Sequence, residues 1–188
     1  MRLRQVTLWV ALIAVSALAP LHAQQAAAPP LRSPDVIFVP TPPDVVEAML
    51  KLAEVGPSDV VYDLGCGDGI IVATAAQKFG VKAVGIDIDP QRVKEATERI
   101  QKANVTDKVK ILNQDLFTTD ISETTVVTLY LLPSLNQKLI PKLNKELKPG
   151  TRIVSQSFDM GEQNPPLKTV DVNGRAVYLW KTPLKTAQ

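Results

Sequence analysis

A glycine-rich stretch at residues 63–69 carries the residue types and spacing most suggestive of chemistry. It reads Asp63-Leu64-Gly65-Cys66-Gly67-Asp68-Gly69 and directly follows the apolar residues 60–62. Twenty residues beyond Gly67, a second apolar run ends in Asp87. This order is typical of a strand, a tight nucleotide-binding turn, a helix and a second strand whose final carboxylate holds a ribose diol. We therefore expect a nucleotide-type cofactor at this turn.

Three kinds of cofactor site use such a turn. A dinucleotide dehydrogenase needs glycine at position 70, where the sequence has Ile70, and a P-loop needs a Gly-Lys-Ser/Thr triplet that the sequence lacks. In the third kind, the ligand carries a ribose and an amino-acid tail. Asp63 then meets the cationic amino group of the tail, while the glycines let the backbone approach closely. Acidic residues at strand ends favour a cationic ligand over a pyrophosphate; they are Asp63, Asp68, Asp87, Asp89 and Asp115. A turn that serves packing alone remains an alternative.

The composition disfavours several classes of protein. The only histidine, His22, lies in a segment that we expect to be removed, so we expect no Ser-His-Asp triad, no Cys-His pair and no metal site. The single cysteine, Cys66, has no disulfide partner and is interpreted as a small residue between two glycines. Aromatic residues make up 5% of the chain, and no stretch combines them with lysine and arginine. This pattern disfavours a nucleic-acid partner.

The N-terminal residues have the pattern of a secretory signal peptide. Arg2 and Arg4 precede an apolar run over residues 6–19, Pro20 interrupts it, and Ala23 stands before a polar residue. We expect residues 1–23 to be cleaved and the protein to be secreted or periplasmic. The alternative is an uncleaved anchor over residues 6–21, which would be the only membrane contact. Without residues 1–23, Lys and Arg fall from 21 to 19 and equal the 19 acids, so the remaining chain is neutral.

The rest of the chain predicts a linker followed by one α/β domain. Residues 24–35 are rich in alanine and proline and are expected to be extended or disordered. Residues 36–188 alternate strand and helix patterns and end in a hairpin at Asn173-Gly174. We predict a Rossmann-like sheet of seven strands, parallel except for one antiparallel strand of the terminal hairpin. The predicted strands span residues 60–64, 83–88, 109–112, 125–132, 152–158, 169–172 and 176–180.

The segment at residues 39–42 precedes the first predicted helix. Thr41 has the form of a helix cap, with Pro42 and Pro43 in the first turn, where no backbone donor is needed. We interpret the helix as a cover for one edge of the domain. The alternative is that residues 39–42 also close over a bound cofactor.

Together these motifs resemble the class I S-adenosylmethionine-dependent methyltransferases. Residues 63–69 look like the family's first motif, Gly85-Ile86-Asp87 like its ribose-binding strand end, and residues 113–116 like its acidic turn facing the adenine. The segment over residues 147–154 and the final hairpin also match, so the resemblance covers about residues 36–181. It implies S-adenosyl-L-methionine as the cofactor. The cofactor-binding residues that it implies are Asp63, Gly65, Gly67, Gly69, Asp87, Ile88, Asp115 and Leu116.

A narrower resemblance concerns the methyl acceptor. Residues 39–42 and 129–134 resemble the small lysine methyltransferases related to the one acting on the ATP synthase c-subunit. The loop after the fourth strand lacks the Asn/Asp-Pro-Pro-Tyr motif of enzymes that methylate amide or base nitrogens. The resemblance implies a protein lysine as acceptor and places Tyr130, Pro133 and Ser134 in its pocket. Tyr130 as a buried aromatic and Ser134 as a helix cap remain the structural alternatives.

The sequence thus predicts a monomeric methyltransferase with a protein or small-molecule acceptor. A non-catalytic S-adenosylmethionine-binding module is the main alternative. It is supported by the signal peptide, which would place the domain where the cofactor is not made.

Overall fold

Four helices and seven strands follow one another in residues 31–186, the part of the chain that the computed structural model describes. The predicted signal peptide and most of the predicted linker lie outside these residues. The strands are β1 Val60–Leu64, β2 Lys82–Asp87, β3 Val109–Asn113, β4 Val126–Leu129, β5 Arg152–Gln156, β6 Lys168–Val172 and β7 Arg175–Lys181. The helices are α1 Pro43–Leu52, α2 Ile70–Phe79, α3 Pro90–Lys102 and α4 Pro133–Glu146.

The strands form a single sheet in the order β3-β2-β1-β4-β5-β7-β6. β1 to β5 are parallel to one another, and β7 runs antiparallel to both β5 and β6. The predicted fold class is therefore confirmed. The chain order reverses between β1 and β4, and in such sheets ligands bind beyond the carboxyl ends of the strands at this switch point.

A hydrophobic core lies on each face of the sheet. On one face, residues of α1 and α2 pack on the sheet, with Val45, Met49 and Val72 fully buried. On the other face, α4 packs through Leu139, Ile140 and Leu143 against apolar residues of the central strands. Both faces of the sheet are covered, as its near-continuous apolar strands require. No helix within residues 31–186 combines the length and apolar character needed to cross a bilayer.

Two predicted helix starts are wrong. Pro42, not Thr41, occupies the cap of α1, and Leu132, not Ser134, occupies the cap of α4. In both places a proline fills the first helical position, where its missing N–H costs no hydrogen bond. Because proline favours extended backbone in the residue before it, each helix starts immediately at the proline. Neither hydroxyl is therefore needed as a cap.

Candidate active site

A cavity opens at the carboxyl ends of β1, β2 and β4. Its cavity volume is about 100 Å³, and about 870 Å³ when the open space at its mouth is included. Five parts of the chain form most of its wall: the glycine turn after β1, the turn after β2, the turn after β3, the segment after β4, and the extended residues before α1. The cavity thus lies at the switch point of the sheet.

The glycine turn is fixed to the end of β2 by backbone hydrogen bonds. The N–H groups of Gly65 and Cys66 both donate to the carbonyl of Ile86, at 2.8 and 2.9 Å. Asp87 accepts from the N–H of Gly67 at 2.8 Å through one oxygen and from that of Asp89 at 2.9 Å through the other. The carboxylate of Asp87 is thereby held at the cavity wall in one orientation.

The three glycines of the turn have different surroundings. All have positive φ, at 85°, 51° and 75° for Gly65, Gly67 and Gly69. Gly65 and Gly67 line the cavity, but Gly69 does not. A Cβ at Gly69 would lie 2.9 Å from the Cβ of Ala96 in α3. Gly69, predicted as a cofactor contact, therefore serves close packing of the turn against α3.

Asp63, at the end of β1, is a buried carboxylate on the cavity wall. Its side chain accepts a 2.8 Å hydrogen bond from the hydroxyl of Thr128 on β4, and the residue is 2% exposed. Burial raises its pKa to about 7, and the nearby charges of Asp87 and Asp68 add to the effect, which the hydrogen bond from Thr128 opposes. A group in this state favours a cationic partner.

Four other acidic residues of the cavity wall already have arginine partners. Asp68 pairs with Arg99, and Asp89 lies 3.9 Å from Arg92. Asp115 and Asp35 both pair with Arg32, at 2.6 and 2.5 Å. Within residues 31–186, neither Asp63 nor Asp87 has a lysine or arginine nitrogen within 4 Å. The two carboxylates without a counter-ion therefore lie where β1 and β2 end.

The turn after β3 forms a further part of the wall. Asp115 and Leu116 line the cavity, as does Ile88 after β2. One oxygen of Asp115 accepts from the N–H of Phe117 at 2.9 Å. The hydrogen bond from Arg32 holds the pKa of Asp115 below its usual range. The structure thus brings Asp63, Gly65, Gly67, Asp87, Ile88, Asp115 and Leu116 around one cavity.

Of the three residues predicted for the acceptor pocket, only Tyr130 lines the cavity. It stacks on Phe158, with the ring centroids 6.1 Å apart and the planes 21° from parallel. Pro133 and Ser134 are exposed in the first turn of α4 and do not line the cavity. The reason is that β4 ends at Leu129, three residues earlier than predicted, so that α4 begins outside the cavity wall.

The segment before α1 contributes residues that the sequence did not single out. Arg32 and Phe38 both line the cavity. Arg32 contacts Asp115, and Phe38 lies against Gly67. These pairs are far apart in the chain, and a single exposed arginine or phenylalanine in a proline-rich stretch carries no periodic signal. Residues 39–42 gave the only indication that this part of the chain reaches a cofactor.

The fold and the cavity define the class of protein. A crystal structure of an RNA methyltransferase from Salinibacter ruber, in complex with S-adenosyl-L-homocysteine, is 53% identical to this chain and superposes with a TM-score of 0.76. The superposition covers 80% of this chain and 97% of that one. The chain is thus an S-adenosylmethionine-dependent methyltransferase with the class I fold.

The family is defined by a match over residues 63–167. These residues match the ANTKMT methyltransferase domain, and the chain belongs to this family. A protein-lysine N-methyltransferase of Saccharolobus islandicus is 50% identical over 151 residues, which are 78% of this chain and 94% of that protein. The lysine N-methyltransferase of Rattus norvegicus named for the ATP synthase c-subunit is 31% identical over 73% of this chain, and the alignment spans 63% of the rat protein.

Proposed function

We propose that this enzyme transfers a methyl group from S-adenosylmethionine to the side-chain amine of a protein lysine. The observation that carries the proposal is the charge of the cavity, whose lining residues include six carboxylates and two guanidinium groups. Such a wall attracts a cationic cofactor and a cationic lysine, and it repels the phosphates of a nucleic acid. The names of the archaeal and rat relatives agree with a lysine acceptor.

The cavity residues fit S-adenosylmethionine better than a dinucleotide. We assign Asp63 to the ammonium group of the methionine tail, since it is buried and has no cationic partner among residues 31–186. Asp87 is assigned to the ribose hydroxyls, and Asp115 with Ile88 and Leu116 to the adenine. Gly65 and Gly67 allow the backbone to approach the ligand. A pyrophosphate in this cavity would face two carboxylates without counter-ions, which disfavours it on electrostatic grounds.

Methyl transfer also requires that the lysine amine is deprotonated and aligned with the methyl group of the cofactor. When bound, the cofactor supplies a methyl group on a sulfonium, which makes the displacement intrinsically favourable. A lysine ammonium has an ordinary pKa of about 10.4, and transfer into an apolar environment lowers that value. Tyr130, Leu131 and Leu135 provide such surroundings on the cavity wall. The task of the chain is therefore to desolvate the amine and to align it.

The proposal is tested by identifying the labelled product. Purified enzyme and tritiated S-adenosylmethionine are incubated with total extract of the source cells, and portions are digested with protease or with ribonuclease. We expect the label to become protease-sensitive and ribonuclease-resistant. Ribonuclease-sensitive label would instead assign an RNA acceptor, the activity named for the Salinibacter relative, and label on small molecules alone would also overturn the proposal. Cofactor binding without transfer to any fraction would identify a non-catalytic module.

Asp87→Ala is the control for dependence on the assigned site. Loss of its charged hydrogen bonds should weaken cofactor affinity by about 1–3 kcal/mol, measured by calorimetry with S-adenosylhomocysteine. Unchanged affinity would refute the assignment of Asp87 to the ribose. The thermal melt of the free variant shows whether loss of the bond to Gly67 has unfolded the turn.

A further inference from the structure

Residues 32–41, here called the strap, form a wall of the cavity outside the part of the chain that matches the family. The strap contains no helix or strand, and it ends where α1 begins. The strap residues that line the cavity are Arg32, Pro34, Asp35, Val36, Ile37, Phe38, Val39 and Thr41. A wall built from irregular chain can open at lower cost than one built from the sheet.

At one end the strap is fastened to the turn after β3. The guanidinium of Arg32 donates from Nε to Oδ2 of Asp115 at 2.6 Å and from Nη2 to Oδ1 at 3.2 Å. It also pairs with Asp35 within the strap and lies 5.6 Å from the ring centroid of Phe117. This two-point contact is specific in geometry, but Arg32 is 38% exposed, so that the ion pair contributes little to stability.

At the other end the strap lies on the glycine turn. The ring of Phe38 is so close to Gly67 that a Cβ there would clash with a ring carbon. The guanidinium of Arg92 lies 4.8 Å from the centroid of the same ring. The strap therefore reaches from Asp115, assigned to the adenine, to Gly67, assigned to the methionine side of the site.

We propose that the strap is a latch that closes over the bound cofactor, with Arg32 and Phe38 as its positioning residues. The contacts at its two ends hold it across the cavity, and their breakage lets the cofactor in and the demethylated product out. This inference rests on the proposed placement of the cofactor and is independent of the lysine acceptor.

The test measures how fast S-adenosylhomocysteine leaves the full-length protein, by surface plasmon resonance. Arg32→Ala and Phe38→Ala should each raise the dissociation rate about fivefold, the factor that corresponds to ~1 kcal/mol of lost contact. Ser33→Ala is the matched control, because Ser33 is an exposed strap residue that does not line the cavity, and its rate should stay at the wild-type value. Thermal melts without ligand verify that each variant is folded.

Two results would overturn the latch. Unchanged dissociation in both variants would show that the strap does not retain the ligand. Slower dissociation in Phe38→Ala would show that the ring occupies space that the ligand needs. Asp87→Ala distinguishes a failure of the proposed cofactor placement from a failure of the latch. If this variant binds weakly while Arg32→Ala and Phe38→Ala release ligand at the wild-type rate, the cofactor placement stands and only the latch fails.

Discussion

Asp63 is a carboxylate of the cavity wall whose buried environment disfavours its charge. The residue is 2% exposed, and burial raises its pKa from 3.8 to about 7. In the unfolded chain it has the ordinary value, so the folded protein holds the proton more tightly. The stability that this gives is fully present below pH 3.8 and is lost as the pH rises through 7. At pH 8 the free protein therefore carries a buried charge that a cationic ligand would stabilise.

Asp63→Asn should have opposite effects on the thermal stability of the free protein and on its affinity for the cofactor. Asparagine can still accept the hydrogen bond from Thr128 and carries no charge. Without cofactor we expect the variant to melt above the wild type at pH 8, with the difference shrinking as the pH falls to 5. With S-adenosylhomocysteine at pH 8 we expect affinity about 10–100-fold weaker, the loss of one charged interaction. A melting difference that does not change with pH, or wild-type affinity in the variant, would contradict the role assigned to Asp63.

Among single residues, the sequence predicted those cavity residues that belong to a recognisable motif. Asp63, Asp87 and Asp115 each end or follow a predicted strand, and all three line the cavity. Arg32 could not be predicted, because its partner is 83 residues away and nothing near it in the sequence indicates that distance. Gly69, also predicted as a cofactor contact, lies outside the cavity wall, and spacing alone does not show which glycine of the turn faces α3.

The helices and strands around the site were predicted most reliably where the hydrophobic periodicity of a segment ends at a glycine or proline. β1 has its predicted bounds, since its apolar run is followed directly by glycines, and α2 ends directly before Gly80. β4 ends three residues earlier than predicted. The prediction extended to residue 132 because residues 130–132 are as apolar as the strand. They lie outside the sheet, between the end of β4 and Pro133, where α4 starts. Composition cannot distinguish these two environments.

Packing of the glycine turn on α3 can be tested with two glycines of nearly equal φ. Gly69 and Gly80 begin and end α2 with φ of 75° and 73°, but a Cβ at Gly80 would have open space around it. Both alanine substitutions should cost about 1–2 kcal/mol for the left-handed backbone. Gly69→Ala should cost about 1–3 kcal/mol more, because its Cβ would meet the Cβ and backbone of Ala96. Urea denaturation measures both, and equal losses would show that the contact with α3 is unimportant.

At the scale of the whole molecule, the order of the strands in the sheet determines where the site lies. The alternation of strands and helices predicted a doubly wound sheet, and the reversal between β1 and β4 puts Asp63, Asp87 and Tyr130 beside one cavity. The strap could not be predicted in this way, since irregular chain has no period. Its path becomes visible only when the turns after β1 and β3 are brought together.

The N-terminal residues bear on the location of the protein. We propose that the chain is cut after Ala23, so that the mature protein begins at Gln24 and is neutral overall. Intact-mass measurement of the protein from fractionated source cells should then give the mass of residues 24–188 in the secreted or periplasmic fraction. The mass of the full chain in a membrane fraction would favour the anchor over residues 6–21, and in the cytoplasmic fraction it would contradict both.

The central claim, a lysine acceptor, is tested most directly by identifying the methylated atom. Protein bands labelled by the enzyme in total extract are digested, and the peptides are fragmented in a mass spectrometer, with the Asp87→Ala variant as a parallel control. We predict methyl groups on lysine side chains in the wild-type reaction and a strong decrease in the control. Methylation confined to any other acceptor, whether another side chain or a nucleotide, would contradict the claim.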